Sequence, residues 1–353
     1  MFRSELPLKK WLQKALLILC GLLLPLTIVE FAMRAYARLA SQERTITADY
    51  LLGWKLIPHT KHLFRKEEQP YLIVINSKGL RDREHSYEKS KGLFRIVVVG
   101  DSFVFGSGGV EASDRFTDIL EKSTRNVEVI NMGVPAYGTD QEYLYLKREG
   151  LKYHPDLVIL CVFGADFARS FSTVNPSNGR PKGYFSITAG QLVFHPPSFP
   201  VFYKLSQRSY LLGLSYMALD KVFRSYWKVH QLDVINPQDR VDTFKHLFIG
   251  ARDLCQEQGS KFVVVYLPWH GQKNKGFIEQ TLDELAASED IKILNLMNDM
   301  DRANTEKRAY FEHDIHFNES GHQAVAKALQ EYLVTNGLLN SAALQPKTAS
   351  RPD

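Results

Sequence analysis

The segment Gly100-Asp101-Ser102-Phe103-Val104-Phe105-Gly106 sets a serine at the end of an apolar, β-branched run, inside a turn flanked by glycines. A hydroxyl projected from a strand end is well placed as a nucleophile, and the backbone N–H of the same residue can help to hold an oxyanion. At neutral pH such a hydroxyl needs a base within hydrogen-bond reach, a task suited to histidine with its ordinary pKa of about 6.5. Asp314-Ile315-His316 offers one ahead of the last apolar helical pattern. Two residues before the histidine in a loop, the Asp314 carboxylate can reach the ring nitrogen of His316 that faces away from the serine. Glu312 and His313 are nearby but less favoured substitutes. A further polar cluster, Asn131-Met132-Gly133, closes the second apolar run.

Residues so far apart in sequence need a scaffold. Five apolar runs, at 95–102, 127–133, 156–163, 261–268 and 291–296, have the continuous apolarity of strands covered on both faces. Helical patterns fall between and after them, over roughly 112–124, 139–153, 242–258, 277–287 and 318–334. Strands alternating with helices predict a doubly wound α/β fold with a parallel sheet. In such sheets ligands bind beyond the carboxyl ends of the strands, where Ser102 and Gly133 fall.

In this order and at these strand ends, the motifs resemble those of the SGNH (GDSL-type) hydrolase family over residues 95–334, apart from an insertion. The resemblance implies a flavodoxin-like three-layer sandwich. It also implies Ser102 as nucleophile, His316 as general base, Asp314 as the carboxylate that orients the imidazole, and the N–H groups of Ser102 and Gly133 as oxyanion donors. INSKGLRDRE before the first motif, together with the apolar N-terminus, looks like a membrane-anchored bacterial branch of that family. One feature departs from the pattern. The family carries an Asn at the end of the third strand whose amide is a third oxyanion donor, whereas this chain reads Phe163-Gly164-Ala165-Asp166-Phe167. Either Ala165 or Asp166 replaces it, and the loss of one such donor costs on the order of 100- to 1000-fold in rate. Asp166, and His270 after the fourth strand, are candidate substrate contacts. Two functions follow: a serine esterase hydrolysing or transferring a short acyl group, acetyl first, on a carbohydrate or envelope polysaccharide; or a degenerate member that binds a glycan or acts as a scaffold.

Composition narrows the partners. The 353 residues carry a net charge of +5, and residues 1–40 hold six basic residues against two acids, which leaves the rest nearly neutral. No nucleic-acid footprint is therefore expected. There are no Cys/His clusters at zinc spacing and no Gly-rich phosphate loop, so no metal or nucleotide cofactor is implied.

The stretch Ala15–Val29 is uncharged and, extended over residues 12–33, is long enough to cross a bilayer, with Lys14 and Glu30 near the interfaces and Trp11 as an interfacial aromatic. An uncleaved anchor is favoured over a signal peptide cut near Ala35-Tyr36-Ala37. Arg3, Lys9, Lys10 and Lys14 predict an inside N-terminus with the remaining chain outside the cytoplasm, which is the periplasm if the cell is Gram-negative. The expected organisation is an anchor over 1–40, a linker and small preface over 41–94, the hydrolase-like domain over 95–340 and a disordered tail over 341–353. An aromatic-rich insertion over about 170–240 is read as a loop followed by an amphipathic helix at about 200–230. Cys161 and Cys255 are read as buried free thiols.

Overall fold

Continuous apolar runs must be covered on both faces, and here they form one five-stranded parallel sheet. A computed structural model describes residues 6–41, 43–65, 70–199, 201–216, 218–219, 237–272 and 276–340. The strands in chain order are β1 (Ile46–Asp49), β2 (Gly53–Leu56), β3 (Lys61–Phe64), β4 (Tyr71–Val74), β5 (Phe94–Gly100), β6 (Val127–Gly133), β7 (Leu157–Phe163), β8 (Tyr184–Thr188), β9 (Gln191–His195), β10 (Lys261–Leu267) and β11 (Lys292–Asn295). The parallel sheet has the order β11-β10-β7-β5-β6. Strand order reverses between β5 and β7, so the chain segments that leave these two neighbours flank the crevice where doubly wound folds place their ligands.

Side chains alternate between two cores, as the strand period requires. Val97, Val99, Leu160 and Val264 pack on one side, with residues of the helices Thr139–Arg148, Pro237–Glu257 and Phe277–Ser288. Ile96, Val98, Ile159 and Val265 pack on the other, with residues of the helices Phe116–Lys122, Met297–Glu306 and Glu319–Thr335. The result is the three-layer α/β sandwich. Cys161 and Cys255 are buried and unpaired.

Several boundaries differ from the sequence reading. The pattern over 112–124 splits into a 3-10 turn at Ala112–Asp114 and a helix from Phe116. Helix Met297–Glu306, with mostly polar residues and only Met300 buried, offers little apolar periodicity to read. The insertion begins with an antiparallel hairpin, β8–β9, across Ala189-Gly190, both at positive φ (50° and 76°), the backbone that a two-residue hairpin turn demands. In place of one long helix, a short one spans Val201–Ser206 and a second helical run begins at 210. Residues 220–236 and the tail 341–353 lie outside the described residues.

The chain divides into two compact units, Met1–Glu43 with Phe199–Trp227, and Arg44–Ser198 with Lys228–Asp353. The second is the α/β unit, and it includes the preface that holds β1 to β4. In the first, the helix Leu6–Leu39 contains a span over Lys10–Leu39 that is long and apolar enough to cross a membrane.

Candidate active site

Ser102 opens a four-residue helix, Ser102–Phe105, immediately after β5, and Asp101 caps it by accepting from the Phe103 N–H at 2.9 Å. The cap turns the chain so that Ser102 stands at the sheet's carboxyl edge. From the loop before the last helix, His316 Nε2 lies 2.8 Å from Ser102 Oγ. Its Nδ1 is hydrogen-bonded to Asp314 Oδ1, which also accepts the His316 backbone N–H at 2.8 Å. Burial opposes ionisation of Asp314, yet these hydrogen bonds hold its carboxyl below the usual carboxylate range. An ionised carboxylate on Nδ1 leaves Nε2 free to accept a proton from Ser102. Glu312 pairs with Arg308 at 3.0 Å on the surface, as befits a bystander.

Two further residues singled out from sequence have other engagements. The Gly133 N–H is donated to Asn131 Oδ1 at 3.0 Å. A Cβ on Gly133 would stand 2.2 Å from the Phe105 nitrogen, so this glycine serves the close approach of β6 to the Ser102 helix. The N–H that is open in the β6 loop belongs to Ala136. It has no hydrogen-bond partner among the described residues, and Ala136 sits at φ 65°, a left-handed conformation uncommon for a residue with a Cβ. The Ser102 N–H is likewise without a partner among the described residues.

Asp166 is wholly buried. Its carboxylate accepts from the Phe163 N–H at 2.7 Å and from Arg169 Nη1 at 3.0 Å, so it lies beneath the site and is closed to a substrate. His270 is exposed and stacked on Tyr310 at 5.1 Å between ring centroids, while its neighbour Trp269 lies so close over Gly164 that a Cβ there would meet the indole at 2.3 Å.

Arg169 is the residue that sequence reading missed. It follows Ala165 by one helical turn, with its N–H bonded to the Ala165 carbonyl at 3.1 Å. Helical side chains lean toward the N-terminus, so a residue covers the turn before its own. Accordingly its guanidinium reaches back over Asp166, donating Nη1 to Asp101 Oδ2 at 2.8 Å and to the Tyr137 carbonyl at 3.2 Å, while Nε bonds Ser177 Oγ at 3.0 Å. Nη2 has no hydrogen-bond partner among the described residues. The sequence signal for it is an arginine three or four residues after Asp166 and Ala165, the two positions that could stand in for the amide.

Beneath this cation lies Glu142, fully buried and without a hydrogen bond to either carboxylate oxygen. Burial and the nearby Asp166 and Asp101 carboxylates push its pKa well above the carboxylate range. The preface supports the site from another side. Buried Arg81 donates to the carbonyls of Phe105, Gly106 and Val110 at 2.9, 2.8 and 2.6 Å, tying down the end of the Ser102 helix, and Asp82 accepts the Asn131 N–H at 2.8 Å.

A serine, histidine and aspartate hydrogen-bonded in series at the carboxyl edge of a doubly wound parallel sheet are the marks of a hydrolase. The chain belongs to the GDSL-like Lipase/Acylhydrolase family, whose model matches residues 98–324. Among solved structures it is similar to the acetyl xylan esterase AlAXEase, with 14% identity and a TM-score of 0.43 over 68% of this chain and 100% of that one. It is also similar to a lipase/acylhydrolase from Enterococcus faecalis, with 18% identity and a TM-score of 0.41 over 73% and 100%, and to TesA, with 11% identity and a TM-score of 0.41 over 68% and 98%. No curated protein sequence matches the chain.

Proposed function

We propose that the protein is a serine esterase that hydrolyses or transfers a short acyl group, acetyl first, on a carbohydrate or envelope polysaccharide. The observation that carries this reading is the continuous relay from Ser102 Oγ through His316 to Asp314. Ser102 Oγ attacks the ester carbonyl as His316 Nε2 takes its proton, and the Asp314 carboxylate stabilises the imidazolium that forms. The carbonyl oxygen becomes an oxyanion that receives the N–H groups of Ser102 and Ala136. When the tetrahedral intermediate collapses, His316 returns the proton to the departing alkoxide. Water or an acceptor hydroxyl, deprotonated by the same histidine, then attacks the acyl-enzyme and frees Ser102.

Arg169 answers for the amide missing at Ala165. Its Nη2 is a donor with no other partner, carried on a guanidinium that also bonds the residue before the nucleophile. Charged donors that meet developing negative charge give strong stabilisation. The glycan-binding alternative rests on the absence of an amide at residues 164–166, and an arginine poised there weakens it.

The N-terminal helix is read as a single-pass anchor with the α/β unit outside the cytoplasm, on the asymmetry of flanking charge. Full-length protein in detergent, assayed with p-nitrophenyl acetate, butyrate and octanoate and for acetate release from acetylated polysaccharide, tests the function. Turnover fastest on acetyl esters and abolished by Ser102→Ala supports it. No turnover, or turnover indifferent to Ser102→Ala, overturns it.

A further inference from the structure

The segment that the α/β unit sends out between β9 and β10 is joined to the N-terminal helix by hydrogen bonds at the end of that helix's apolar stretch. Glu30 accepts from Ser209 Oγ at 2.9 Å, from the Tyr210 N–H at 3.0 Å and from the Leu211 N–H at 3.0 Å. The last two are the donors at the start of the helical run that begins at 210, so a carboxylate from one helix caps another. Arg34, one turn on, donates Nη2 to the Arg208 carbonyl at 2.5 Å and lies 5.8 Å from the centre of the Tyr210 ring.

Many of the apolar side chains of this short segment face outward, although Tyr203 is buried. Val201, Phe202, Leu205, Leu212, Leu214 and Leu219 are all exposed, Val201 at 72% and Leu214 at 54%. A cluster of exposed apolar side chains of this kind marks an interaction surface. The neighbouring surface identifies its occupant. The adjoining helix has an 18-residue window of mean hydropathy 2.4, none of it buried. Lipid suits a helix of that length and hydropathy, and the segment is hydrogen-bonded to the end of its apolar stretch. Charge agrees: residues 196–219 hold Lys204 and Arg208 and no acid, and Arg34 and Arg38 stand close by in sequence. Exposed apolar and aromatic residues mixed with basic ones compose an element that lies in the interfacial layer of an anionic bilayer.

We propose that residues 201–216, with 218 and 219, are a second membrane contact, an interfacial element seated in the headgroup layer beside the anchor and fixed there by Glu30 and Arg34. This rests on the anchor reading and is independent of the esterase reading. It also makes the N-terminal helix a retained part of the fold, because a cleaved leader would leave with Glu30.

The test uses the full chain in vesicles of phosphatidylcholine and phosphatidylglycerol whose lipids carry a nitroxide near the top of the acyl chain. A fluorophore is placed on native Cys20 in the anchor or, in a Cys20→Ser background, on Leu205→Cys, Leu214→Cys or, as a control on the α/β unit, Glu257→Cys; melting curves matching the parent's confirm folding. The expected result is at least two-fold quenching at Cys20, Leu205→Cys and Leu214→Cys, with none at Glu257→Cys. Quenching at Cys20 with Leu205→Cys and Leu214→Cys as bright as Glu257→Cys overturns the interfacial element and leaves the anchor standing. Absence of quenching at all positions overturns both.

Discussion

Arg169 Nη1 stands 2.8 Å from Asp101 Oδ2, the same carboxylate oxygen that Ser102 Oγ approaches at 3.4 Å. A single carboxylate thus lies between the guanidinium and the Ser102 hydroxyl. The same guanidinium also bonds Asp166, and a third buried acid, Glu142, lies near enough to these groups to be pushed toward its neutral form.

If Arg169 donates to the oxyanion, its loss falls on kcat and spares KM. Arg169→Gln is expected to lower kcat on the order of 100-fold. Arg169→Lys keeps the charge but loses the planar fork, so melting temperature should recover while kcat stays low. Adding Ala165→Asn to Arg169→Lys should restore part of kcat by supplying the amide. Full activity in Arg169→Lys would reduce the arginine to a neutralising charge.

The relay predicts a separate pattern. Ser102→Ala should lower kcat by about 1000-fold or more, with little change in thermal stability. Asp314→Asn leaves the loop's shape but offers an amide to Nδ1, and a fall of about 100- to 10,000-fold is expected. Steady-state kinetics on a chromogenic ester, with melting curves in parallel, checks both; an active Ser102→Ala protein would remove the serine from the mechanism.

Gly133 and Ala136 should respond in opposite ways. Gly133→Ala forces a Cβ to within 2.2 Å of the Phe105 backbone, so a large fall in melting temperature is expected. Ala136→Gly relieves a left-handed alanine, with a gain of up to about 1 kcal/mol and undiminished turnover. Loss of turnover in a well-folded Ala136→Gly protein would count against the Ala136 N–H as a donor.

His322 predicts how stability changes with pH. It is buried on the last helix, accepts the Phe116 N–H on Nδ1 at 3.2 Å, and burial, aided by Arg115 and Arg81, pushes its pKa down to about 3. The unfolded chain, with a histidine pKa of about 6.5, binds the proton first. Its contribution is therefore complete above about pH 6.5 and is lost on acidification toward pH 3, by about 1.4 kcal/mol per pH unit. His322→Asn retains an acceptor without that titration. The stability difference between parent and variant should shift in the variant's favour as pH falls from 7.5 to 4.5; a constant difference would show that His322 protonates freely in the fold.

Much of this protein is legible in local sequence. The runs over β5, β6, β7 and β10 are mostly apolar and almost wholly buried, as strands of a parallel sheet covered on both faces must be. Ser102 in its turn, and Asp314 two residues from His316, are short-range patterns. Their geometry is fixed by neighbours in the chain, so residue types suffice to suggest them. The hairpin β8–β9 and the helix Met297–Glu306 were harder, since one hides in an aromatic-rich insertion and the other buries little apolar surface.

What the sequence determined by itself was the parallel α/β scaffold, the serine, histidine and aspartate that the fold joins by hydrogen bonds, and an apolar helix long enough for a membrane. Tertiary structure decided which groups are left unpaired. It engaged the Gly133 N–H with Asn131 and left that of Ala136 open, buried Asp166 under Arg169, and joined Glu30 to residues 209–211, 179 or more positions away. Hydrogen bonding is an accounting over every donor and acceptor brought near by the fold. A residue's type gives its capacity to bond, and only its neighbours in space decide whether that capacity is already used.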